Sequence, residues 1–318
     1  MRALVTGGAG FIGSNLADQL TARGAEVLVV DNLSTGRREN LDEALESGAA
    51  LVEGDVAVAP EFDEIVDEFG PDRIFHLAAQ VDVRKAVADP GLDARINVVG
   101  TINVLEAARR HEAAVVFAST GGAIYGEGSG RGLPLDEKAA SLPETPYGAS
   151  KLTGEIYLDL YRRLYGLAGV ALRFGNVYGP RQDPHGEAGV VAIFCGLLRT
   201  GGPLRVFGDG EQTRDYVFVA DVVSACLAAE EALSSRGSGV DGPYNVGTGI
   251  ETSVLELARL LGAATGVDPS LEHHPARTGE VDRISIDPSA SRRDLGWVAE
   301  TGLETGLART AAALAGDR

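Results

Sequence analysis

Positive charge is scarce in this chain. Its 318 residues carry 28 Lys and Arg against 46 Asp and Glu, a net charge of −18. A phosphate backbone demands basic surface, so nucleic acid is not an expected partner. An anionic ligand must instead meet a few locally placed Arg and Lys side chains and backbone N–H groups. Cysteine is scarcer still: Cys195 and Cys226 are the only two and lie far apart in apolar segments. That excludes a disulfide framework and fits buried thiols in a reducing cytoplasm. No run of about eighteen apolar residues occurs, so no membrane span is expected. The glycine-dense start MRALVTGGAGFIG reads as strand, turn and helix and lacks the basic flank and cleavage site of a signal peptide. His76, His111, His185, His273 and His274 show no ligand spacing with Cys or carboxylates, so no metal is expected. There is no nucleophile elbow.

What is present is an alternation of short β-rich runs and helical patterns. Ala3-Leu4-Val5, Glu26 to Val30, Leu51-Val52, Arg73 to Leu77, Ala114 to Ala118 and Gly169 to Arg173 read as strands. Phe11 to Arg23, Asp93 to His111 and Tyr147 to Tyr165 read as helices. Strands alternating with helices predict an α/β fold with a Rossmann-type, doubly wound parallel sheet covered on both faces. After about Phe174 the rhythm breaks into loops rich in Gly, Pro and Asp. A dinucleotide-binding domain over 1–174 and a smaller C-terminal substrate-binding domain over 175–318 are expected, with about 215–245 rejoining the first. Ser234 to Gly242 reads as a polar surface loop.

Two local patterns carry chemistry. Gly7, Gly10 and Gly13 hold the spacing G-x-x-G-x-x-G between a strand and a helix, which suits close backbone approach to a pyrophosphate at a helix N-terminus. Asp31, at the tip of the second strand, is placed to accept the ribose hydroxyls and repel a 2′-phosphate, so NAD is favoured over NADP. Asp55 and Val56 are placed to cap the adenine. Further on, Tyr147 and Lys151 stand four apart on one helix face. An ammonium beside a phenol favours the phenolate, and a phenolate is a general base for an alcohol. Free Tyr titrates near 10, so a base working near neutral pH needs a depression of about three units, roughly 4 kcal/mol. Ser119 and Thr120 end the fifth strand, where ligands bind in parallel sheets, and either hydroxyl can hold a substrate oxygen near Tyr147. Tyr157, Tyr161 and Tyr165 continue that helix as a packing stripe.

Together these residues resemble the extended short-chain dehydrogenase/reductase family, and specifically its UDP-glucose 4-epimerases. The motifs are TGGAGFIG, DNLSTG from Asp31, HLAAQ from His76, Asn97, YGASK, FGNVYGPRQDPHGEAGVVAIF, VFGDGEQTRDYVFVADV, YNVGTG and ARTGEVDR. The resemblance covers nearly the whole chain. It implies that Phe11, Ile12, Asp31, Asn32, Ser34, Thr35 and Gly36 line the adenosine and pyrophosphate, and that Leu77, Ala78, Ala79, Gln80, Asn97 and Ser119 line the rest of an NAD channel. Lys151 would also bond the nicotinamide ribose. It implies that Asn176, Gly189, Val190 and Val206 hold a UDP-sugar, with Arg214 and Arg277 on its phosphates and Glu280 on the uridine ribose. Tyr147, Lys151 and Thr120 would be catalytic, with Ser119 the second choice of hydroxyl.

Relatives that eliminate water at C5–C6 carry an acid and a base just after that Thr. This chain has Gly121 and Gly122, which favours simple inversion at C4 of a UDP-hexose through a 4-keto sugar. UDP-glucuronate and UDP-N-acetylglucosamine are alternative substrates, Ile284 falling where relatives gate N-acetylated sugars. A non-catalytic NAD-binding sensor is the alternative of another class. The helices Asp93 to His111 and Tyr147 to Tyr165 resemble those that pair in a homodimer.

Overall fold

The computed structural model describes residues 1–184, 189–240, 242–276 and 281–316. The chain divides into two compact units. One comprises Met1–Thr120, Thr145–Arg173 and Val223–Tyr244; the other comprises Gly121–Glu144, Phe174–Val222 and Asn245–Arg318.

The first unit opens with β1 (Arg2–Thr6), α1 (Phe11–Ala22), β2 (Glu26–Asp31), α2 (Asp42–Glu46), β3 (Ala50–Glu53), α3 (Ala59–Phe69) and β4 (Arg73–His76). It continues through α4 (Val83–Ala88), α5 (Pro90–Ala94), α6 (Gly100–His111) and β5 (Ala114–Thr120). The short α7 (Gly121–Ile124) belongs to the other unit, and α8 (Pro146–Tyr165) and β6 (Gly169–Phe174) follow. The sheet has seven strands in the order β11-β6-β5-β4-β1-β2-β3, where β11 is Tyr244–Val246. The pairs β3–β2, β2–β1, β1–β4 and β4–β5 all run parallel. Strand order reverses between β1 and β4, the crevice where such sheets bind ligands at their carboxyl ends. Val27 to Val30 and Ala114 to Phe117 are buried on both pleat faces, which is why these strands read as unbroken apolar runs.

Helix boundaries follow their caps. Thr145 Oγ1 accepts the Gly148 N–H, Pro146 fills the first turn, and Gly166 closes α8 in the left-handed conformation at φ 68°. The expected helix from Asp93 starts earlier, at Pro90, because Asp89 caps it by accepting the Leu92 N–H. It is also not one α-helix: Arg95–Val99 forms a π turn between α5 and α6. The expected loop from Ser234 is helical for longer than its composition suggests. The helix α10 (Val219–Arg236) runs on because Ser234 Oγ bonds Glu230 Oε1 at 2.5 Å and accepts from Arg73 Nη2 at 2.7 Å.

In the second unit the short parallel pair β7 (Asn176–Tyr178) with β10 (Tyr216–Phe218) comes first, then β8 (Leu204–Phe207) with β13 (Leu271–His274). The antiparallel pair is β9 (Thr213–Arg214) with β12 (Thr252–Ser253). The helices α9 (Val190–Thr200), α11 (Val254–Thr265) and α12 (Leu303–Gly316) pack together. The sequence-based boundary put Gly121–Glu144 with the first unit. In the structure it groups with the second, since Leu135 bridges to Ile286 and the Glu127 carboxylate accepts the N–H groups of Asp282 and Arg283. Among the described residues no helix is long and apolar enough to cross a membrane.

Candidate active site

The turn after β1 is built for close backbone approach. Gly7 sits at φ 68°, and a Cβ there would stand 2.6 Å from the Ala78 nitrogen. A Cβ at Gly13 would stand 2.4 Å from the Gly7 oxygen. The N-terminus of α1, capped by Gly10, has no side-chain bond to its free N–H groups. Those donors, without a side-chain cap, fit a pyrophosphate. Phe11 and Ile12, the first residues of the helix, are half-buried beside them.

Asp31 is buried, its carboxylate accepting the Ala9 N–H and the Leu33 N–H at 2.9 Å each. It therefore ties the glycine turn to the end of β2. Burial pushes its carboxyl up, and the bonds from Leu33 and Ala9 pull part of that back. A Cβ at Gly36 would stand 2.9 Å from both Asp31 oxygens. Asn32 Nδ2 donates to Asp55 at 3.1 Å, and Ser34 N to Asn32 at 3.1 Å, while Asn32, Ser34 and Thr35 are exposed. Val56 is buried, and its carbonyl accepts from Asn103.

Beyond β4, Leu77, Ala78, Ala79 and Gln80 are half-buried. Asn97 pairs with both main-chain groups of Gln80: its Oδ1 accepts the N–H and its Nδ2 donates to the carbonyl, each at 2.9 Å. The π turn presents Asn97 for this. His76 is a satisfied core residue between Thr6 and Thr101, and burial, then the charge of Lys151, lowers its pKa to about 3.

On α8, Lys151 is buried; its Nζ donates to the Ala118 carbonyl at 2.9 Å and lies 4.9 Å from the Phe117 ring centroid. Burial pushes its pKa down to about 8, while Asp93 and Glu155 pull it up. Tyr147, one helical turn earlier, is half-buried. Sequence reasoning required its phenol to be depressed. The chain by itself does the reverse: burial raises the Tyr147 pKa, and the negative charge of Asp93 adds to it.

Thr120 is half-buried at the end of β5. The neighbouring Ser119 hydroxyl is committed, donating to Glu155 Oε1 at 2.5 Å. Glu155 in turn forms a buried pair with Arg173, at 2.9 Å to Nε and 2.6 Å to Nη2. In the second unit a Cβ at Gly121 would stand 2.7 Å from Ile286 Cδ1, so the position after Thr120 has no room for a larger side chain as packed. Ile284 and Ile286 share an apolar cluster with Tyr125 and Leu135.

Of the expected substrate residues, Asn176 lies on β7, its N–H bonded to the Asp215 carbonyl at 2.7 Å. Gly189, at φ 77°, precedes α9, and Val190 begins it. Val206 on β8 is fully buried, in register with His273 on β13. Arg214 on β9 donates to the Thr213 carbonyl. Arg277 and Glu280 lie outside the described residues. The sequence reading missed Asp93, Ser150, Glu155, Arg173 and Asp215. The only local signal for the first three was spacing: Asp93 is four before Asn97, Ser150 precedes Lys151, and Glu155 is four after it. The Tyr157–Tyr161–Tyr165 stripe is partly internal: Tyr157 packs on the core, and Tyr161 is buried and bonds Glu106 at 2.5 Å.

Residues 3–247 match the model of the NAD dependent epimerase/dehydratase family. A UDP-glucose 4-epimerase of Mycolicibacterium smegmatis is 46% identical over 312 residues, covering 98% of this chain and 97% of that one. A UDP-glucose 4-epimerase from Thermotoga maritima, solved with UDP-glucose, is 42% identical with a TM-score of 0.93 over 99% of both chains. One from Thermus thermophilus, solved in complex with NAD, is 41% identical with a TM-score of 0.90 over 100% of both.

Proposed function

The chain belongs to the NAD dependent epimerase/dehydratase family, and we propose that within it the protein interconverts UDP-glucose and UDP-galactose by inverting C4. The observation that carries this reading is Gly121, wedged against Ile286 directly after Thr120. With glycine at 121 and 122 the turn after Thr120 supplies no acid or base, so the pair on α8 can oxidise and re-reduce one carbon without a group placed there to drive elimination.

Gly7 to Gly13 and Asp31 would hold NAD, which when bound would accept the C4 hydride and return it. Tyr147 takes the C4 hydroxyl proton and later restores one. Lys151, held by the Ala118 carbonyl, is the protein cation one turn from the phenol and favours the loss of that proton. Thr120 supplies the hydroxyl that orients the substrate oxygen, because Ser119 is engaged with Glu155. Arg214 and Arg277 meet the diphosphate, a use of local cations that a chain this acidic requires, with Asn176, Gly189, Val190 and Glu280 around the rest of the nucleotide sugar.

A homodimer is part of this proposal, and it is supported by the apolar side chains of Val99, Ile156, Leu164 and Tyr165, 45%, 58%, 61% and 54% exposed on the π turn and α8. A monomer by light scattering overturns that. The buried free thiols of Cys195 and Cys226 suit a reducing cytoplasm.

Incubation with UDP-glucose, UDP-N-acetylglucosamine and UDP-glucuronate, read by NMR, tests the reading. C4 inversion of the first supports it. Inversion of only the other two moves the substrate, and inversion of none favours a sensor. Tyr147→Phe is expected to lower turnover about 10²–10⁴-fold with UDP binding retained.

A further inference from the structure

Asp93 has no part in the proposed chemistry, yet its side chain is entirely buried. A carboxylate in that position needs hydrogen bonds or a counter-charge. Its Oδ2 accepts from Ser150 Oγ at 2.5 Å; its Oδ1 accepts from Asn97 Nδ2 at 2.9 Å and Gln80 Nε2 at 3.2 Å. These three partners come from three segments. Gln80 belongs to the loop after β4, Asn97 to the π turn, and Ser150 to α8 between Tyr147 and Lys151. All three donors are neutral.

We infer that Asp93 is a positioning residue for the acid–base pair: it fixes α8 against the π turn and the Gln80 loop, and it sets one buried negative charge close to Tyr147 and Lys151. The inference rests on the assignment of Tyr147 and Lys151 given above. The charged groups around the site leave Asp93 distinct. Glu155, also on α8, is already paired with Arg173. His76 is neutral between two threonines. The packed helix α4 brings Arg84 and Lys85, and the π turn brings Arg95, all exposed. Asp93 pulls Lys151 up against its burial and pushes Tyr147 up with it. Its charge therefore moves both groups in the same direction.

The test is Asp93→Asn. An amide can keep the three contacts, because its oxygen accepts from Asn97 and Gln80 while its nitrogen donates to the Ser150 hydroxyl. Loss of the charge alone should move both limbs of the pH–activity profile to lower pH by roughly one unit. At a fixed pH on the alkaline limb, that is about a tenfold loss. Asp93→Glu, which keeps the charge, should leave both limbs in place even if its plateau falls. A second readout needs no turnover: the tyrosinate absorbance that vanishes in Tyr147→Phe should titrate at lower pH in Asp93→Asn. A folded Asp93→Asn protein with both limbs and the Tyr147 titration where the wild type has them overturns the inference. Asp93→Ser, with the same loss of charge, is read identically if the Asn variant does not fold. Turnover surviving in Tyr147→Phe would sink the acid–base assignment instead, so the two failures are distinct.

Discussion

Asp93 in the first unit and Asp215 in the second are both buried carboxylates without a cation among their hydrogen-bond donors, yet their surroundings give them different work. Asp93 takes one hydroxyl on one oxygen and two side-chain amides on the other. A hydroxyl can reverse its role, so the site tolerates an amide. Asp215 takes the Thr248 N–H and hydroxyl on Oδ1, and the Gly249 and Ile286 N–H groups on Oδ2. Three of those four donors are main-chain and cannot reverse. Burial raises the Asp215 carboxyl and its donors lower it, with burial the stronger. Its role is to hold the turn at Thr248–Gly249 and the Ile286 strand segment beside Arg214. The difference teaches that burial of a carboxylate does not by itself mark chemistry. What matters is whether titratable groups share its surroundings, as Tyr147 and Lys151 do for Asp93.

The largest effect is expected at the buried pair of Glu155, on α8, and Arg173. Arg173→Met leaves Glu155 as an uncompensated buried charge, and we expect a loss of about 3–5 kcal/mol in a denaturant titration. A loss under about 1 kcal/mol would mean that the charge network does not hold this region. Next comes the hydroxyl choice at the end of β5. Thr120→Val is expected to lower turnover about a hundredfold, and Ser119→Ala to lower it far less while costing about 1 kcal/mol of stability. The reverse ranking would transfer the role to Ser119.

The matched pair of substitutions sharpens the contrast directly. Asp215→Asn puts an N–H where Gly249 and Ile286 or Thr248 already donate, and should cost about 1–3 kcal/mol. Asp93→Asn should cost less, and equal losses in thermal melts would erase the distinction. A pH-dependent effect is expected at Glu127 in the second unit. Burial alone would raise its carboxyl, but bonds from Ser129, Asp282 and Arg283 outweigh it and hold the pKa at about 2. A carboxyl depressed on folding stabilises above its unfolded value of about 4.3, and that contribution is lost as pH falls toward about 2. Glu127→Gln should therefore flatten the acid side of the stability curve between those values; an unchanged acid side would contradict the assignment.

Local patterns made the nucleotide half legible. The glycine turn, the Asp31 strand tip and the Tyr147–Lys151 spacing each lie within a few residues, and the strands buried on both faces announced themselves as apolar runs. The network around the pair was not legible, because its bonds join distant positions: Ser150 to Asp93, Ser119 to Glu155, Arg173 to Glu155. The π turn at Asn97 was hidden because one wider turn barely disturbs helical periodicity. In the second unit the strands β9 and β12 are two residues each, too short for any alternation to show. There the sequence supplied motifs by resemblance, while the hydrogen bonds of Asp215 and Glu127 explain how those loops are held.

On the proposed reading Tyr147 and Lys151 serve a reaction confined to C4, with Gly121 leaving no group after Thr120 for elimination. Its most direct test is NMR of UDP-galactose incubated with the protein in deuterium oxide. The expected product is UDP-glucose with C4 and C5 free of solvent deuterium. Deuterium at C5, or accumulation of a 4-keto-6-deoxy sugar, would contradict it.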